Sequence, residues 1–335
     1  MKAMVVFQPR PIEERPLTLV ELPRPAPPPG EVLIRVEVCG VCRTDLHVAE
    51  GDLPPHLQPV APGHEVVGTV VGLGTGTGRL LTEGDRVGVA WLHETCRRCA
   101  YCVRGDENLC IAPRFTGYDV HGGYAEYLTA PEDFVYPLPS GVSSTEVAPL
   151  LCAGIIGYRA LRRSNVRGGE RLGLYGFGAS AHIVMQIARY WGCEVYVATR
   201  GDKHRTLAKA LGATWVGDAT DIPPEKLHAA IIFAPAGELV PYALRALDRG
   251  GTLALAGIYM TPIPAMDYTD CLFYERTVQS VTANTRQDGR ELLRLARDIP
   301  LRPHTEIFRL EEANEALGKL KNDQVNGAAV LHIAE

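Results

Sequence analysis

Four cysteines stand within fifteen residues, Cys96, Cys99, Cys102 and Cys110, in the pattern C-x2-C-x2-C-x7-C. Charged and polar residues separate them, so they do not form an apolar core cluster. Thiolates at this spacing can wrap tetrahedrally around one zinc and leave no open position, which is a structural site. The segment 93–112 is the lobe such a metal would pin. A second set of donors is dispersed. Gly40-Val41-Cys42-Arg43-Thr44-Asp45-Leu46-His47 reads as a short polar loop after an apolar strand, Gly63-His64-Glu65 opens a later strand, and Cys152 follows Pro149-Leu150-Leu151. Two thiolates and one imidazole from these stretches (Cys42, Cys152 and His64) would match a known three-ligand zinc pattern with an open fourth position, the form a catalytic metal takes.

The remaining composition narrows the setting. The 335 residues carry nine cysteines, an odd number at tight spacing in a long chain. That favours metal binding over disulfides. Cys39, Cys193 and Cys271 lie outside both sets and read as core residues. Net charge is −5 with no long basic block, which argues against a nucleic-acid groove. Met1–Phe7 is apolar only briefly before Pro9 and Pro11, so it reads as a first strand and not as a signal peptide. No run approaches a membrane span, and the cytoplasm is the expected compartment.

The elements that must position these donors fall into two textures. Residues 1–153 carry short β-like runs (Ala3–Phe7, Leu17–Leu22, Glu31–Val38, Val66–Val71) broken by proline turns at Pro23–Gly30 and Pro54–Pro62. Proline at that density blocks helix and central strand alike, which predicts an antiparallel, barrel-like β domain. The turn Gly72–Gly78 is rich in glycine, but no helix follows it, so it reads as an inter-strand loop and not as a phosphate site. Ser143-Ser144-Thr145-Glu146 resembles a helix start, and Pro137-Leu138-Pro139 closes the region before it. From 154 to 285 strands alternate with helices, which predicts a doubly wound parallel sheet. After Thr285 a helix (Gly289–Arg297), a second helix (Phe308–Leu320) and a strand (Ala328–Ile333) return to the first domain, giving it residues 1–153 and 286–335.

The alternating region opens with a cofactor fingerprint. The strand Arg171–Tyr175 leads into Gly176-Phe177-Gly178-Ala179-Ser180-Ala181 and then an apolar helix. Strand, G-x-G-x-x-small and helix in that order mark dinucleotide binding. Gly176 permits the tight turn, Gly178 lets a pyrophosphate approach the backbone, and Ala181 allows close helix packing. A site for NAD usually has an acid at the end of the second strand. Here that strand ends Val197-Ala198-Thr199-Arg200, and the acid is absent; Asp202 is a displaced candidate. Thr199 and Arg200 suit a 2′-phosphate through charge-assisted bonds, which favours NADP(H) over NAD(H).

Cys42, Thr44, His47, Gly63-His64-Glu65, the four-cysteine lobe, Cys152 and the Gly176 fingerprint occur in one order in one chain. Together they resemble the zinc-dependent alcohol dehydrogenases of the medium-chain dehydrogenase/reductase family, over nearly the whole chain. The resemblance implies an α/β protein, a GroES-like catalytic domain beside a Rossmann domain, and two zinc ions per chain. It implies that Cys42, His64 and Cys152 hold the catalytic zinc and that Glu65 is a nearby carboxylate or an occasional ligand. Asp45 would orient His64 through its other nitrogen. Thr44 and His47 match the family's proton relay, which serves an alcohol held on zinc as its alkoxide while hydride passes to NAD(P). Trp91 and Leu92 would line an apolar substrate pocket. The family often has Thr where this chain has Ile156, and a glycine after the first lobe cysteine where it has Arg97-Arg98. The family habit is a homodimer or homotetramer, with Val278–Val281 as a plausible edge strand. Two other readings are a zinc-free quinone or enoyl reductase on the same fold, disfavoured by two complete ligand sets, and a non-catalytic scaffold, disfavoured by intact relay residues.

Overall fold

The computed structural model describes residues 1–334 other than 139, 140 and 300; Pro139, expected at the close of the first region, lies outside them. The chain divides into two compact units: Met1–Cys152 with Ala283–Arg297 and Arg302–Glu335, and Ala153–Thr282 with Asp298–Leu301. No helix among the described residues is long and apolar enough to cross a membrane.

The first unit is built on a seven-stranded sheet. Its spatial order is Thr305–Arg309, Ala328–His332, Glu31–Val41, Glu65–Leu73, Arg86–Val89 and Val135–Pro137, with Tyr127–Pro131 also paired to Glu31–Val41. The pairing is antiparallel except between Thr305–Arg309 and Ala328–His332. Glu31–Val41 is the central strand. Its β-branched residues Val32, Ile34, Val36 and Val38 are buried, as a strand with neighbours on both edges requires. Two register shifts against Glu65–Leu73 bend it. Its end carries the chain to Cys42.

There the structure departs from the expected loop. Arg43–Glu50 is an α-helix, with Cys42 at its N-cap and Asp45 at its third position. The Cys42 N–H donates to Asp45 Oδ2 at 2.8 Å, the backbone half of a capping box. A cysteine in place of the usual Ser or Thr hides this start in the sequence. The tail differs too. Phe308, expected in a helix, lies in the strand Thr305–Arg309, and the helix is Ala313–Lys321. Five residues are too few for alternation to show, and this strand is defined by its parallel partner Ala328–His332.

The glycine-rich turn after Leu73 ends in an anion cradle filled by the protein itself. The backbone N–H groups of Gly78, Arg79, Leu80 and Leu81 all donate to Glu132 Oε1, at 2.9 to 3.1 Å.

The second unit holds a six-stranded parallel sheet. Its order is Trp215–Gly217, Glu194–Ala198, Arg171–Tyr175, Leu227–Ile232, Leu247–Leu255 and Thr277–Ser280. The order reverses at Arg171–Tyr175, the switch point at which such sheets take dinucleotides. The helix Ala179–Tyr190 buries Ala181, Ile183, Val184, Ile187 and Ala188. A neighbouring helix, Ala153–Arg163, comes close to it at Gly157, where a Cβ would lie 2.6 Å from Val184 Cγ2.

Candidate metal centres and dinucleotide site

Three separate stretches of the first unit bring four donors together. The ligand atoms of Cys42, His64, Glu65 and Cys152 all lie within 4.8 Å of one another. Cys42 Sγ and Cys152 Sγ are 3.8 Å apart. Two sulfurs on a tetrahedral zinc, each about 2.3 Å from it, stand about 3.8 Å apart. His64 Nδ1 lies 2.9 Å from Asp45 Oδ1, and its buried Nε2 has no hydrogen-bond partner. A fully buried imidazole with one nitrogen anchored and the other bare is what a metal ligand requires. The donor set and the orphaned nitrogen therefore fit zinc.

Asp45 is the hub of this arrangement. One carboxylate oxygen accepts from His64 Nδ1 and from the Gly63 N–H at 3.1 Å; the other accepts from the Cys42 N–H and, at 3.4 Å, from the Tyr124 hydroxyl. It thus caps the helix and aims the imidazole at once. Glu65 pairs with Gly40 across the ladder, and a Cβ on Gly40 would lie 1.9 Å from Glu65 Oε2. Only glycine leaves room there for the carboxylate.

The charges respond to this crowding. The Cys42 thiol is held well below its ordinary range, first by the bond from Cys152 and then, against burial, by His64; the same bond pushes Cys152 up. Burial pushes the Glu65 carboxyl well up, and the Cys42 thiolate adds to it. For His64 burial opposes the cation, but the Asp45 and Cys42 charges outweigh it and raise the imidazole well above its usual range. Metal binding to such a set competes with protons, because the ligands must be deprotonated.

Thr44 is buried, with its Oγ1 3.8 Å from Cys42 Sγ. His47, one turn on, keeps 24% of its side chain exposed. Trp91 meets His64 edge-on, with ring centroids 5.0 Å apart, and stacks on Phe115 at 4.7 Å. Leu92 is buried in the short strand Leu92–Glu94.

The lobe brings Cys96, Cys99, Cys102 and Cys110 together, again within 4.8 Å. Its backbone turns toward the sulfurs: Cys96 N–H and Ala112 N–H donate to Cys110 Sγ, and Cys99 N–H donates to Cys96 Sγ, at 3.3 to 3.4 Å. Such bonds stabilise thiolate; backbone donors bring Cys99 down to about 6. Four soft donors with no polar vacancy fit a structural zinc.

In the second unit Gly176 takes φ +85°, which L side chains avoid, and a Cβ there would meet Ala234 N at 3.0 Å. Gly178 is the N-cap of Ala179–Tyr190 with no side-chain cap, so its end offers free backbone donors to an anion. Ala181 is fully buried. Thr199 is buried just past the Glu194–Ala198 strand, and Arg200 beside it is exposed. Three residues bearing on these sites gave no sequence signal: Gly40, whose role needs its cross-strand partner; Tyr124, which reaches Asp45 from 79 positions away; and Asp52, whose Oδ2 lies 2.7 Å from His47 Nδ1.

Comparison with known proteins agrees with this geometry. Residues 28–140 match the model of the alcohol dehydrogenase GroES-like domain, and residues 181–298 that of the zinc-binding dehydrogenases. The chain is 52% identical over 337 residues to a probable alcohol dehydrogenase of Mycobacterium tuberculosis, covering 99% of this chain and 97% of that one. It is 39% identical over 345 residues to an alcohol dehydrogenase of Geobacillus stearothermophilus, covering the whole of both. Among solved structures, the cobalt- and zinc-bound thermostable alcohol dehydrogenase of Pyrobaculum aerophilum superposes with a TM-score of 0.88 at 26% identity, over 99% of each chain. The fold is thus a GroES-like domain with a Rossmann-like parallel sheet, and the chain belongs to the zinc-binding alcohol dehydrogenases of the medium-chain dehydrogenase/reductase family.

Proposed function

We propose that this protein is a zinc-dependent oxidoreductase that interconverts alcohols with aldehydes or ketones by hydride transfer to or from NADP(H). The first unit is its catalytic domain and the second binds the dinucleotide. The observation that carries the reading is the buried cluster of Cys42, His64 and Cys152 with its bare imidazole nitrogen. When bound, zinc would supply a Lewis acid that acidifies an alcohol or polarises a carbonyl, and the nicotinamide would supply or accept the hydride.

The chain's own residues do the rest. Cys42, His64 and Cys152 hold the catalytic zinc, Asp45 locks the His64 ring, and Glu65 stands by as a carboxylate within reach. Cys96, Cys99, Cys102 and Cys110 hold the structural zinc. The Thr44 hydroxyl bonds the substrate oxygen and passes its proton on. His47, at the solvent edge, delivers that proton to water. Trp91 and Leu92 line the apolar side of the substrate site; the edge contact of Trp91 with His64 supports this. Gly176, Gly178, Ala179 and Ala181 receive the pyrophosphate. Thr199 and the exposed Arg200 receive a 2′-phosphate, a preference supported by the missing acid at that strand end. Homodimers or homotetramers belong to the same reading, supported by the edge strand Thr277–Ser280 and the exposed Tyr268, Phe273 and Tyr274 near it in sequence. A cytoplasmic setting suits nine free cysteines.

A panel of primary and secondary alcohols, aldehydes and ketones, assayed with both cofactors, tests the proposal. Turnover of some member with a higher kcat/KM for the phosphorylated cofactor is expected. No turnover across the panel contradicts the activity, and a strong preference for NAD(H) contradicts the cofactor assignment.

A further inference from the structure

The two ring nitrogens of a histidine are distinct, and the hydrogen bond that one makes sets the role of the other. His47 Nδ1 lies 2.7 Å from Asp52 Oδ2. A carboxylate partner accepts, so in the neutral imidazole this contact assigns the hydrogen to Nδ1 and leaves the lone pair on Nε2.

The end of the helix delivers that carboxylate. Gly51 follows Arg43–Glu50 with φ +85° and ψ 14°, a left-handed cap. The N–H groups of Gly51 and Leu53 both donate to the carbonyl of His47, at 3.0 and 3.4 Å. The two residues flanking Asp52 are thus tied to the backbone of the residue it serves. A side chain at Gly51 would be strained by its φ, and its Cβ would lie 2.8 Å from Pro9 Cβ. The other acid at this helix end, Glu50, is engaged with the Ile12 N–H and with Lys321, each at 2.8 Å.

The pair contributes little to stability. Its side chains are 24% and 60% exposed, so solvent screens the contact. Loss of Asp52 should leave the fold intact and appear in proton transfer alone.

We propose that Asp52 is a positioning residue that holds His47 as the Nδ1–H tautomer, so that Nε2 accepts the proton leaving Thr44. The inference rests on the Thr44–His47 relay. In alcohol oxidation the substrate O–H gives its proton to the Thr44 oxygen as the Thr44 hydroxyl proton passes to His47 Nε2. The dinucleotide, when bound, would supply the acceptor for the hydride that carries both electrons of the carbinol C–H bond. Asp52 stays ionised, offsets the imidazolium charge, and His47 releases its proton to water.

The test compares Asp52→Ala, Asp52→Glu, His47→Gln and the double variant Asp52→Ala with His47→Gln, in the zinc-loaded enzyme. His47→Gln should lower kcat about a hundredfold, as loss of a proton-transfer residue does. Asp52→Ala should lower kcat about tenfold at unchanged zinc content, with Asp52→Glu, which keeps the carboxylate, restoring part of it. In the His47→Gln background Asp52→Ala should have no further effect. Nitrogen-15 NMR of the His47 ring, which needs no turnover, should show Nδ1–H in the parent protein and a shift toward Nε2–H in Asp52→Ala. If His47→Gln loses activity while Asp52→Ala keeps full kcat and the Nδ1–H signal, the assignment of Asp52 is wrong and the relay stands. If His47→Gln keeps full kcat, the relay and the role of Asp52 fall together.

Discussion

Asp45 shows how much one side chain carries here. It accepts from four donors, among them the imidazole that faces the metal position. Asp45→Asn puts a donor against those donors and frees the ring, so affinity at the Cys42 site should fall ten- to a hundredfold while the lobe keeps its metal. Competition with a chelator, read as zinc released per chain, checks this; equal release from variant and parent would contradict it. A second buried residue should make the stability of the fold depend on pH. His93 is 1% exposed with neither ring nitrogen bonded, and burial, with the Arg114 charge adding to it, brings it from 6.5 down to about 4. The unfolded chain therefore takes up this proton first. The stability that neutral His93 provides is whole above pH 6.5 and is lost as pH falls through about 4, by at most about 3 kcal/mol. His93→Leu should flatten the urea midpoint between pH 6.5 and 4.5 relative to the parent; parallel profiles would contradict the assignment. The lobe donors were legible in the sequence, because four cysteines at metal spacing have few other readings; Cys42, His64 and Cys152 were legible only through the resemblance of their flanking motifs to a known family. His93 and Asp52 were not, since burial and a ring tautomer are properties of the folded chain.

At the scale of elements, the parallel sheet was the clearest part of the sequence. The strands Arg171–Tyr175, Glu194–Ala198 and Leu227–Ile232 are compact apolar runs bounded by turn residues, and the helix Ala179–Tyr190 between two of them shows its own period. The Arg43–Glu50 helix was hidden by an unusual N-cap, and Thr305–Arg309 by its length. The glycine-rich segment was legible only by half. It reads as an inter-strand loop, and the loop's following amides converge on Glu132. Glu132 is 6% exposed, so Glu132→Ala would leave several backbone donors facing a gap in the structure. A loss of about 2 to 4 kcal/mol in urea unfolding is expected, since a charged acceptor with multiple donors is removed. A loss below 0.5 kcal/mol, roughly that of an ordinary surface change, would show that water replaces the carboxylate without cost.

For the whole molecule, two features that the sequence separates are brought into order by folding. Cys42, His64 and Cys152 are scattered over more than a hundred positions, yet the central strand, the capped helix and the chain up to Cys152 deliver them within 4.8 Å. The four lobe cysteines sit together in sequence and form a closed set of their own. One centre is built by the whole unit and should depend on it; the other is local. On the proposed function, the dispersed centre holds the zinc that activity needs, and a lobe zinc does not replace it. Counting zinc in the purified protein and in Cys42→Ala, alongside alcohol oxidation by each, tests this most directly. Two zinc ions per chain are expected in the parent, and one in a folded Cys42→Ala whose activity is lost. Full activity in Cys42→Ala, or a parent protein that holds no more zinc than the variant, would contradict it.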